Sequence, residues 1–552
     1  MTATASATPT PGALHPTSGA DALAGTGALV RLALRRDRLR LTLWVLAVGV
    51  LPIYTATALD TVYPTAADRQ ARATLMENPA AVILGGPGFG RDDYTLGAML
   101  ANEMGLTLMI AVAIMSVLLV VRHTRTEEES GRAELVRACV VGHRAHLAAA
   151  LVLAALANAA IVAVTVAGLA AIGLPGPDSL AFAVGVGLTG MVLAAVAGVT
   201  AQLSEHTRAA SGAALGLLGV AAVVRGVGDI AEPGGSLLSW FSPIAWAQQT
   251  RAFVELRWWP LLLSVTLIVV ATGLAHRLAG RRDLGAGLRP PRTGAAGASP
   301  LLSGATALTA RLQRGTFTGW AVGLALTGVT FGSLADAVLD AVADNAQLSA
   351  FLAAGATRDL TDAFLARMLT YLALGSAAFA VTSVLRLRAE ETAGRVEPLL
   401  AASAGRVRWL AGGLLVTLAG STLLLLAGGL ATGIAAALTL GDGRLVAVMT
   451  GACLAFLPAV LVIAGIAAAL VGLAPRLSAL AWAVLGYALL VGMFGVLLDL
   501  PGWAMRLSPL EWVPALPGEP LDLAPLAGLT VLATALVAAG LTGIRGRDIG
   551  TA

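Results

Sequence analysis

Charged residues recur in the same order at two places in this chain. The first segment reads Arg125-Thr-Glu-Glu-Glu-Ser-Gly-Arg-Ala-Glu134, and the second reads Arg388-Ala-Glu-Glu-Thr-Ala-Gly-Arg-Val-Glu397. Six of the ten positions are identical at a common offset of 263 residues (394 − 131). Carboxylates and guanidinium groups at this spacing can form ion pairs with each other or with a charged partner surface. Both segments are therefore candidate contact sites rather than catalytic ones.

The recurring charges allow two interpretations, and both stay open. One is a lattice of internal salt bridges that braces the ends of neighbouring helices. The other is a docking element for a cytosolic partner that presents two equivalent grooves. In either case we expect a helix interrupted at its glycine, with the paired carboxylates capping an N-terminus, where carboxylates are favoured by about 0.3–1 kcal/mol. The candidate docking residues are Glu127, Glu128, Gly131, Arg132 and Glu134 in the first copy and Glu390, Glu391, Gly394, Arg395 and Glu397 in the second.

A few other residues are candidates for a transport pathway. Ionisable side chains in apolar segments are costly and are usually paired or line water. Glu103 lies in such a segment, and its counterpart carries Arg367 one position out of register (103 + 263 = 366). They form either an electrostatic gate at the external mouth or two side chains that reach the outer headgroups, and Arg225 has the same ambiguity or contacts an anionic substrate. Apolar residues such as Met104 and Phe379 suit bulky apolar or amphipathic molecules better than ions.

Metal and enzyme chemistry are disfavoured. Cys139, His143 and His146 stand at i, i+4 and i+7, so one helix face could present all three to a metal. The second copy has Ala, Arg and Trp at the matching positions, which favours a basic interfacial face, and we predict no metal site. The sequence contains no HExxH motif. We therefore predict no catalytic residues.

Composition identifies the class of protein that carries these segments. Of 552 residues, 57% are hydrophobic and only 12% are charged, whereas about a quarter of a soluble domain is charged. Apolar stretches of about 20 residues recur, the length that a helix needs to cross a bilayer. All 36 basic residues are Arg, so the chain lacks the lysine of a phosphate-binding loop. If ATP powers this protein, another chain must bind it.

The apolar stretches predict an all-α, polytopic membrane protein with two parallel six-helix repeats. A second repeated block, Ser242-Pro-Ile-Ala-Trp246 against Ser508-Pro-Leu-Glu-Trp512, supports the duplication. Two parallel copies imply a pathway between the halves. The twelve predicted spans are 41–59, 98–121, 147–173, 179–201, 210–228, 258–276, 318–338, 364–385, 409–438, 446–473, 478–498 and 522–543.

The chain divides into a tail, two repeats and a linker. Most Arg residues fall on one side of the predicted spans, which places both termini in the cytosol and the protein in the cell membrane. Basic helices at 26–40 and 301–316 are expected to lie in the headgroup layer, although a plain cytosolic flank explains the first almost as well. The predicted divisions are a disordered tail (1–25), a first repeat (26–279), a cytosolic linker (280–300) and a second repeat (301–552).

The E-E-x-x-G-R-x-E segment after the second span, the six spans per half and the Ser-Pro-x-x-Trp before the sixth span resemble ABC-2-type exporter permeases. The similarity is greatest to fused, twelve-span polyketide-antibiotic (tetronasin-type) exporters. The resemblance implies that each repeated segment forms a coupling helix on a separate ATPase. It also implies two copies of that ATPase, which would hold ATP and Mg, and no cofactor in this chain. The expected function is export of bulky apolar or amphipathic compounds, with membrane lipid and no nucleic acid as partners.

A proton-coupled secondary multidrug transporter is the alternative function. It too has twelve spans in two parallel halves. Such a carrier needs titratable residues in the middle of the membrane, which the predicted span centres almost entirely lack. The loop signature GxxxDRxGRR is also absent after the second predicted span. The sequence therefore favours an ATP-driven exporter.

Overall fold

The computed structural model describes a helical chain that divides into two compact units, Met1–Thr293 and Gly294–Ala552. Every regular element among the described residues is a helix and none is a strand, which confirms the all-α prediction. The boundary between the units falls within the sequence that we assigned to the linker. The described residues are 22–77, 79–283, 285–289, 297, 299–300, 302, 304–335, 360–401, 405–494 and 500–547.

Long apolar helices dominate the first unit. Its helices are α1 (Thr26–Val62), α2 (Ala66–Ala73), α3 (Pro79–Leu84), α4 (Leu96–Val121), α5 (Arg132–Arg137), α6 (Ala145–Ala171), α7 (Gly176–Leu203), α8 (Thr207–Ala231), α9 (Pro243–Gln248) and α10 (Leu261–Ala279). Helix α4 continues through a π-helical turn (Arg122–Thr126) into a last turn at Glu127–Glu129. Helices α1, α4, α6, α7, α8 and α10 are long and apolar enough to cross a membrane.

The second unit repeats this pattern with shorter or broken members. Its helices are α11 (Ala305–Ser333), α12 (Leu360–Thr392), α13 (Glu397–Ala401), α14 (Arg406–Leu440), α15 (Leu445–Ala455), α16 (Leu457–Leu473), α17 (Leu480–Phe494), α18 (Gly502–Met505) and α19 (Leu523–Gly546).

Over the described residues of both units, ten segments are long and apolar enough to span a membrane, which confirms a polytopic membrane protein. The four in the second unit are Leu365–Thr392, α14, Arg444–Leu473 and α19. The remaining two predicted spans, 318–338 and 478–498, overlap α11 and α17, and their last residues (336–338 and 495–498) lie outside the described part of the chain. Within the described residues, α11 is rich in Gly and Thr and α17 covers 15 residues, so neither meets the length and apolar content of a span there.

The same helix pairs pack in each unit. The first span lies on the third (α1 on α6, α11 on α14), the second on the fourth (α4 on α7, α12 on α16), and the fourth on the sixth (α7 on α10, α16 on α19). Small residues permit the close approach that such packing needs. A Cβ atom added to Gly472 of α16 would lie 2.1 Å from the carbonyl oxygen of Gly540 of α19.

The N-terminal helix has a built-in bend. Asp37 has non-helical torsion angles (φ −103°, ψ 15°), so α1 bends within its basic part, which continues to Arg40 before the apolar part begins. A basic part followed by an apolar part is the order expected for a headgroup helix followed by a span. Residues 22–25, which the sequence assigned to the tail, contact the loop before α6, where Ala24 accepts a hydrogen bond from the Gly142 backbone (2.9 Å). The rest of that predicted tail, residues 1–21, lies outside the described part of the chain.

Candidate functional site

Each repeated segment forms the end of the second span and the start of a short helix. Gly131 (φ 72°) and Gly394 (φ 69°) adopt left-handed backbone conformations that stop the preceding helix, and α5 and α13 follow them. The predicted interruption at glycine is therefore confirmed. The expected N-terminal position of the paired carboxylates is wrong, because the glycine follows them and leaves them at a helix C-terminus. Carboxylates are disfavoured at this end of a helix unless cations compensate them.

In the first unit one cation comes from the same helix and the other from the end of the sixth span. Arg282, just after α10, donates from Nη2 to Glu128 Oε1 (2.6 Å) and from Nη1 to Glu128 Oε2 (2.8 Å). Arg125 donates from Nη1 to the same Oε2 atom (2.9 Å) and from Nε to the carbonyl oxygen of Ala201 at the end of α7. The backbone amide of Gly285 also donates to Glu128 (3.3 Å). We call Glu128, Arg125 and Arg282 the first cluster.

The second unit builds the same arrangement around Glu391. Arg547, just after α19, donates to both carboxylate oxygens of Glu391 (2.5 and 2.8 Å). Arg388 lies 3.1 Å from Glu391 at the same i, i+3 spacing as Arg125 from Glu128. Arg547 also donates to the carbonyl oxygen of Val471 in α16 (3.1 Å). We call Glu391, Arg388 and Arg547 the second cluster.

Both clusters connect the C-terminal end of the second span to the C-terminal ends of the fourth and sixth spans. Their central side chains are almost inaccessible, 10% exposed for Glu128 and 0% for Glu391. Buried charges need complete pairing, since an isolated buried charge is strongly destabilising. Each carboxylate is accordingly shared by two guanidinium groups. The internal salt-bridge interpretation therefore applies to these two glutamates.

The neighbouring carboxylates differ between the units. Glu127 accepts a hydrogen bond from Arg36 of α1 (2.6 Å), so the first segment is also held by the basic part of α1. Glu390 instead contacts Arg395 of its own segment and lies 3.8 Å from Arg386. The hydrogen bond that Arg395 donates to Glu390 raises the pKa of the Arg395 guanidinium above its ordinary value. One carboxylate thus joins two helices, whereas the other stabilises a local turn.

The remainder of each segment faces outward. Arg132 and Glu134 are exposed in the first unit, and Arg395 and Glu397 are exposed in the second. Ala133 and Val396, the residues between them, are almost fully buried and anchor the two short helices. In the first unit Leu135 (75% exposed) and Val140 (93% exposed) extend this surface. The ten predicted docking residues therefore divide into four glutamates that are at most 15% exposed, two partly exposed glycines and four exposed charged residues.

The predicted pathway residues are held within their own units. Glu103 is bonded by Arg72 of α2 through both oxygens (3.2 Å each). Burial would lower the pKa of the Arg72 guanidinium, but the Glu103 carboxylate raises it above the ordinary value. Arg367 donates to the backbone carbonyl of Gly492 (3.3 Å). Their role in a gate stays a prediction, because these contacts supply a structural reason for both charges.

Arg225 lies near the C-terminal end of α8 and is fully buried. Its guanidinium lies 3.2 Å from Asp229 and donates to the carbonyl oxygens of Val82 and Ile83, at the end of α3. Asp229 in turn accepts from Ser239 (2.6 Å). Carbonyl groups at a helix C-terminus favour a cation. The arrangement fixes α3 against α8.

The two apolar pathway candidates have different surroundings. Phe379 is fully buried in the core of the second unit, with its ring centroid 6.1 Å from that of Phe317. Met104 is only partly buried, against the core of the first unit. Within the described residues, no group of three or more His, Cys, Asp or Glu side chains could hold a metal ion.

Sequence reasoning missed the arginines that complete the clusters. Arg282 and Arg547 are each followed by Asp and each come directly after the sixth span of their unit, at an offset of 265 residues (547 − 282). That repeated Arg-Asp pair is a third repeated block and was the available signal. Gln202, which accepts from Arg282 Nε (2.6 Å), has no such signal.

The chain is similar in sequence to known proteins over most of its length. The family described as the C-terminal domain of multidrug efflux system permease Rv1217c matches residues 302–545. The chain is also 39% identical over 534 residues to the multidrug efflux system permease protein Rv1217c of Mycobacterium tuberculosis (strain ATCC 25618 / H37Rv). The match covers 95% of both proteins.

Proposed function

This chain belongs to the Rv1217c family of multidrug efflux permeases, and on that premise we propose that it is the membrane-spanning subunit of an ATP-driven exporter. It is a multi-pass membrane permease for multidrug efflux. The proposal adds the source of energy, a separate ATPase that binds in two copies and holds ATP and Mg. It also keeps the finer resemblance to tetronasin-type exporters, with bulky apolar or amphipathic compounds as cargo.

The observation that carries the proposal is the duplicated cluster. Each unit places one buried glutamate between an arginine of its own helix and an arginine that follows the sixth span. A short helix, α5 or α13, projects from each cluster with exposed charges. The clusters therefore connect an accessible surface to the ends of three spans, as a coupling element requires.

Buried ion pairs are suited to transmitting movement because separating them is costly. Removing one partner of a buried pair typically costs about 3–5 kcal/mol. A displacement of α5 or α13 would therefore carry Glu128 or Glu391 along with the arginines bound to it. Helices α7 and α10 would move with the first cluster, and α16 and α19 with the second.

The exposed charges provide the test of docking. We expect the double variant Glu134→Arg, Glu397→Arg to abolish stimulation of the partner's ATPase and drug efflux, since like charges across an interface are strongly unfavourable. Thermal stability should not change, because both side chains are exposed. Arg208→Glu, an exposed charge at the start of α8, is the matched control and should retain efflux.

Two outcomes would contradict the proposal. One is full efflux by the Glu134→Arg, Glu397→Arg variant at normal expression. The other is transport by the purified permease alone in liposomes with only a proton gradient, which is the behaviour of a secondary transporter. ATP hydrolysis and drug accumulation in membrane vesicles measure both.

Orientation in the membrane has its own test. The proposal places the coupling segments in the cytosol, and Cys139 next to α5 is exposed. A membrane-impermeant maleimide should label Cys139 in inside-out vesicles but not in intact cells. Cys453 is fully buried and should stay unlabelled in both. Leu237→Cys, at a position that is 78% exposed, combined with Cys139→Ser, should label in intact cells, and the reverse pattern would overturn the assigned orientation.

A further inference from the structure

A cleft of about 380 Å³ opens between α1, α4 and α8 of the first unit. The volume falls in the range of small-molecule sites. Arg40 and Arg122 stand at one end, and Trp44, Met115 and Leu118 form much of the apolar wall. The cleft therefore combines positive charge with a large apolar surface.

The positive charge at this end is only partly compensated. Arg40 is exposed and forms no ion pair with any described residue. Arg122 donates to both oxygens of Asp37 (3.0 Å each), but Asp37 also bonds His123 (2.8 Å). The side chain of Arg122 is 34% exposed. Arg40 is thus an uncompensated cation beside a second, shared one.

Hydroxyl groups along the cleft are already engaged. Thr207 donates to Glu129 (2.6 Å), which lies at the rim. Ser211 donates to the backbone carbonyl of Thr207 (2.9 Å). Ligand recognition at the polar end consequently falls to the two arginines. Guanidinium groups favour carboxylates and phosphates, which they bind through paired hydrogen bonds.

The length of the apolar wall sets the shape of a ligand. Arg122 lies seven positions after Met115, which is about 10 Å along a helix. Leu118 lies between them and is 47% exposed, whereas Met115 is 2% exposed, so the wall is accessible at Leu118. A matching ligand has an anionic head group and an apolar body of at least this length.

The second unit provides an internal comparison. Trp44 and Trp320 align at an offset of 276 residues (320 − 44), and the same offset pairs Asp37 with Gln313. Both of the paired polar residues are buried, at 4% and 2% exposure, which supports the alignment. At the 276-residue offset, Thr316 is the counterpart of Arg40. The 263-residue offset likewise places Leu385 opposite Arg122. The cationic end is therefore a feature of the first unit.

We propose that this cleft binds amphiphilic anions, molecules with a carboxylate or phosphate head group and an apolar body. The head group contacts Arg40 and Arg122, and the body lies along Trp44, Met115 and Leu118. Binding does not depend on the energy source, whereas the assignment of such anions as cargo rests on the proposed function. The ligand comes either from the drug-like compounds that the permease handles or from the anionic lipid of the membrane.

Titration of a fluorescent fatty acid tests the site. The full-length protein in nanodiscs of phosphatidylcholine is titrated with 11-(dansylamino)undecanoic acid and, separately, with its methyl ester. We expect Arg40→Gln to weaken binding of the acid by about tenfold, because it removes a charge-assisted hydrogen bond to the head group. Binding of the neutral ester should not change. Arg38→Gln, an exposed arginine of α1 outside the cleft, is the matched control and should behave as the unmodified protein.

A second variant keeps the test independent of charge and of folding. Leu118→Trp fills the cleft from an exposed position and should weaken binding of both the acid and the ester. The proposal is overturned if Arg40→Gln or Leu118→Trp binds the acid normally, or if the unmodified protein binds ester and acid equally well.

Nanodiscs that contain phosphatidylglycerol distinguish the two sources. Competition by this lipid, lost in Arg40→Gln, identifies a membrane lipid as the ligand. Undiminished binding of the acid identifies a free amphiphile. None of these measurements involves ATP. A negative result would therefore contradict the binding site in the cleft and leave the proposed ATPase partner unaffected.

Discussion

The two glutamate clusters share their charges but differ in what surrounds them. In the first unit, Glu128 also receives a backbone amide from residue Gly285, and Arg282 is oriented by Gln202 of α7. Among the described residues of the second unit, Glu391 is bonded by its two arginines, and its side chain is completely buried. The shared part is the carboxylate between two guanidinium groups. The neighbouring hydrogen bonds therefore vary, whereas the balance of buried charge does not.

The two units also differ in the contacts made by the residues that follow the sixth span. Residues 285–289 lie in the predicted linker, yet Leu288 and Arg289 donate backbone hydrogen bonds to Gln202 and Leu203 (3.1 and 3.0 Å). This part of the linker is thus packed onto the first unit. In the second unit, the described chain after the sixth span ends at Arg547, which makes the corresponding contact. Among the described residues, the first cluster is therefore braced by more of the chain than the second.

Removing the central carboxylates gives the largest effect that this comparison predicts. Glu391→Ala leaves two arginines unpaired in a buried site, and we expect a loss of about 3–5 kcal/mol of stability. Glu128→Ala should cost less, because Arg282 keeps its bond to Gln202 and Arg125 keeps its bonds to backbone carbonyl groups. Thermal unfolding of the purified protein in detergent measures both changes. Equal costs would show that the extra bracing of the first unit contributes nothing.

The hinge glycines should respond equally in the two units. Gly131 and Gly394 have positive φ angles and face open space, so an added methyl group meets no other atom within 4 Å. Only the backbone penalty remains, and Gly131→Ala and Gly394→Ala should each destabilise by about 1–2 kcal/mol. Thermal unfolding of the two variants under the same conditions tests the prediction. A much larger cost at one position would mean that its turn is needed for more than backbone geometry.

The smallest predicted effect concerns the repeated Ser-Pro-x-x-Trp block, which carries Glu511 in the second unit and Ala245 in the first. Burial raises the pKa of Glu511, while the nearby Arg367 partly opposes that shift. The folded state therefore holds this proton more tightly than the unfolded state does. The resulting stabilisation is present below the ordinary pKa of a glutamate and is lost as the pH rises through the folded value.

Glu511→Gln should accordingly reduce the loss of stability that occurs as the pH rises above the ordinary glutamate pKa of about 4.3. Unfolding temperatures across this pH range, compared with those of the unmodified protein, measure the change. Glu134→Gln replaces an exposed carboxylate and should leave the pH profile as it is. A profile for Glu511→Gln that matches the unmodified protein would show that burial at this position is too weak to matter.

Much of the fold could be predicted because it depends on periodic apolar composition. The long helices follow from the apolar stretches, and the break at Gly131 and Gly394 follows from glycine's tolerance of positive φ angles. The described residues of α11 are not apolar enough for a span, because Gly and Thr dilute the apolar residues, and the end of that predicted span lies outside the described part of the chain. Spacing along the chain identified Glu128 and Glu391. It did not reveal that these two residues are buried, since burial depends on helices distant in sequence.

The sequence alone determined that the chain is helical, membrane-embedded and internally duplicated, because these properties depend on composition and on residue order. It also excluded a lysine-containing phosphate-binding loop. Only the tertiary structure decided which charges are internal and which are exposed. Arg282 and Glu128 are 154 residues apart, and Arg547 and Glu391 are 156 residues apart. Only packing of the sixth span brings the members of each pair within hydrogen-bonding distance. Local sequence cannot encode such proximity, since it arises from the whole arrangement of helices within each unit.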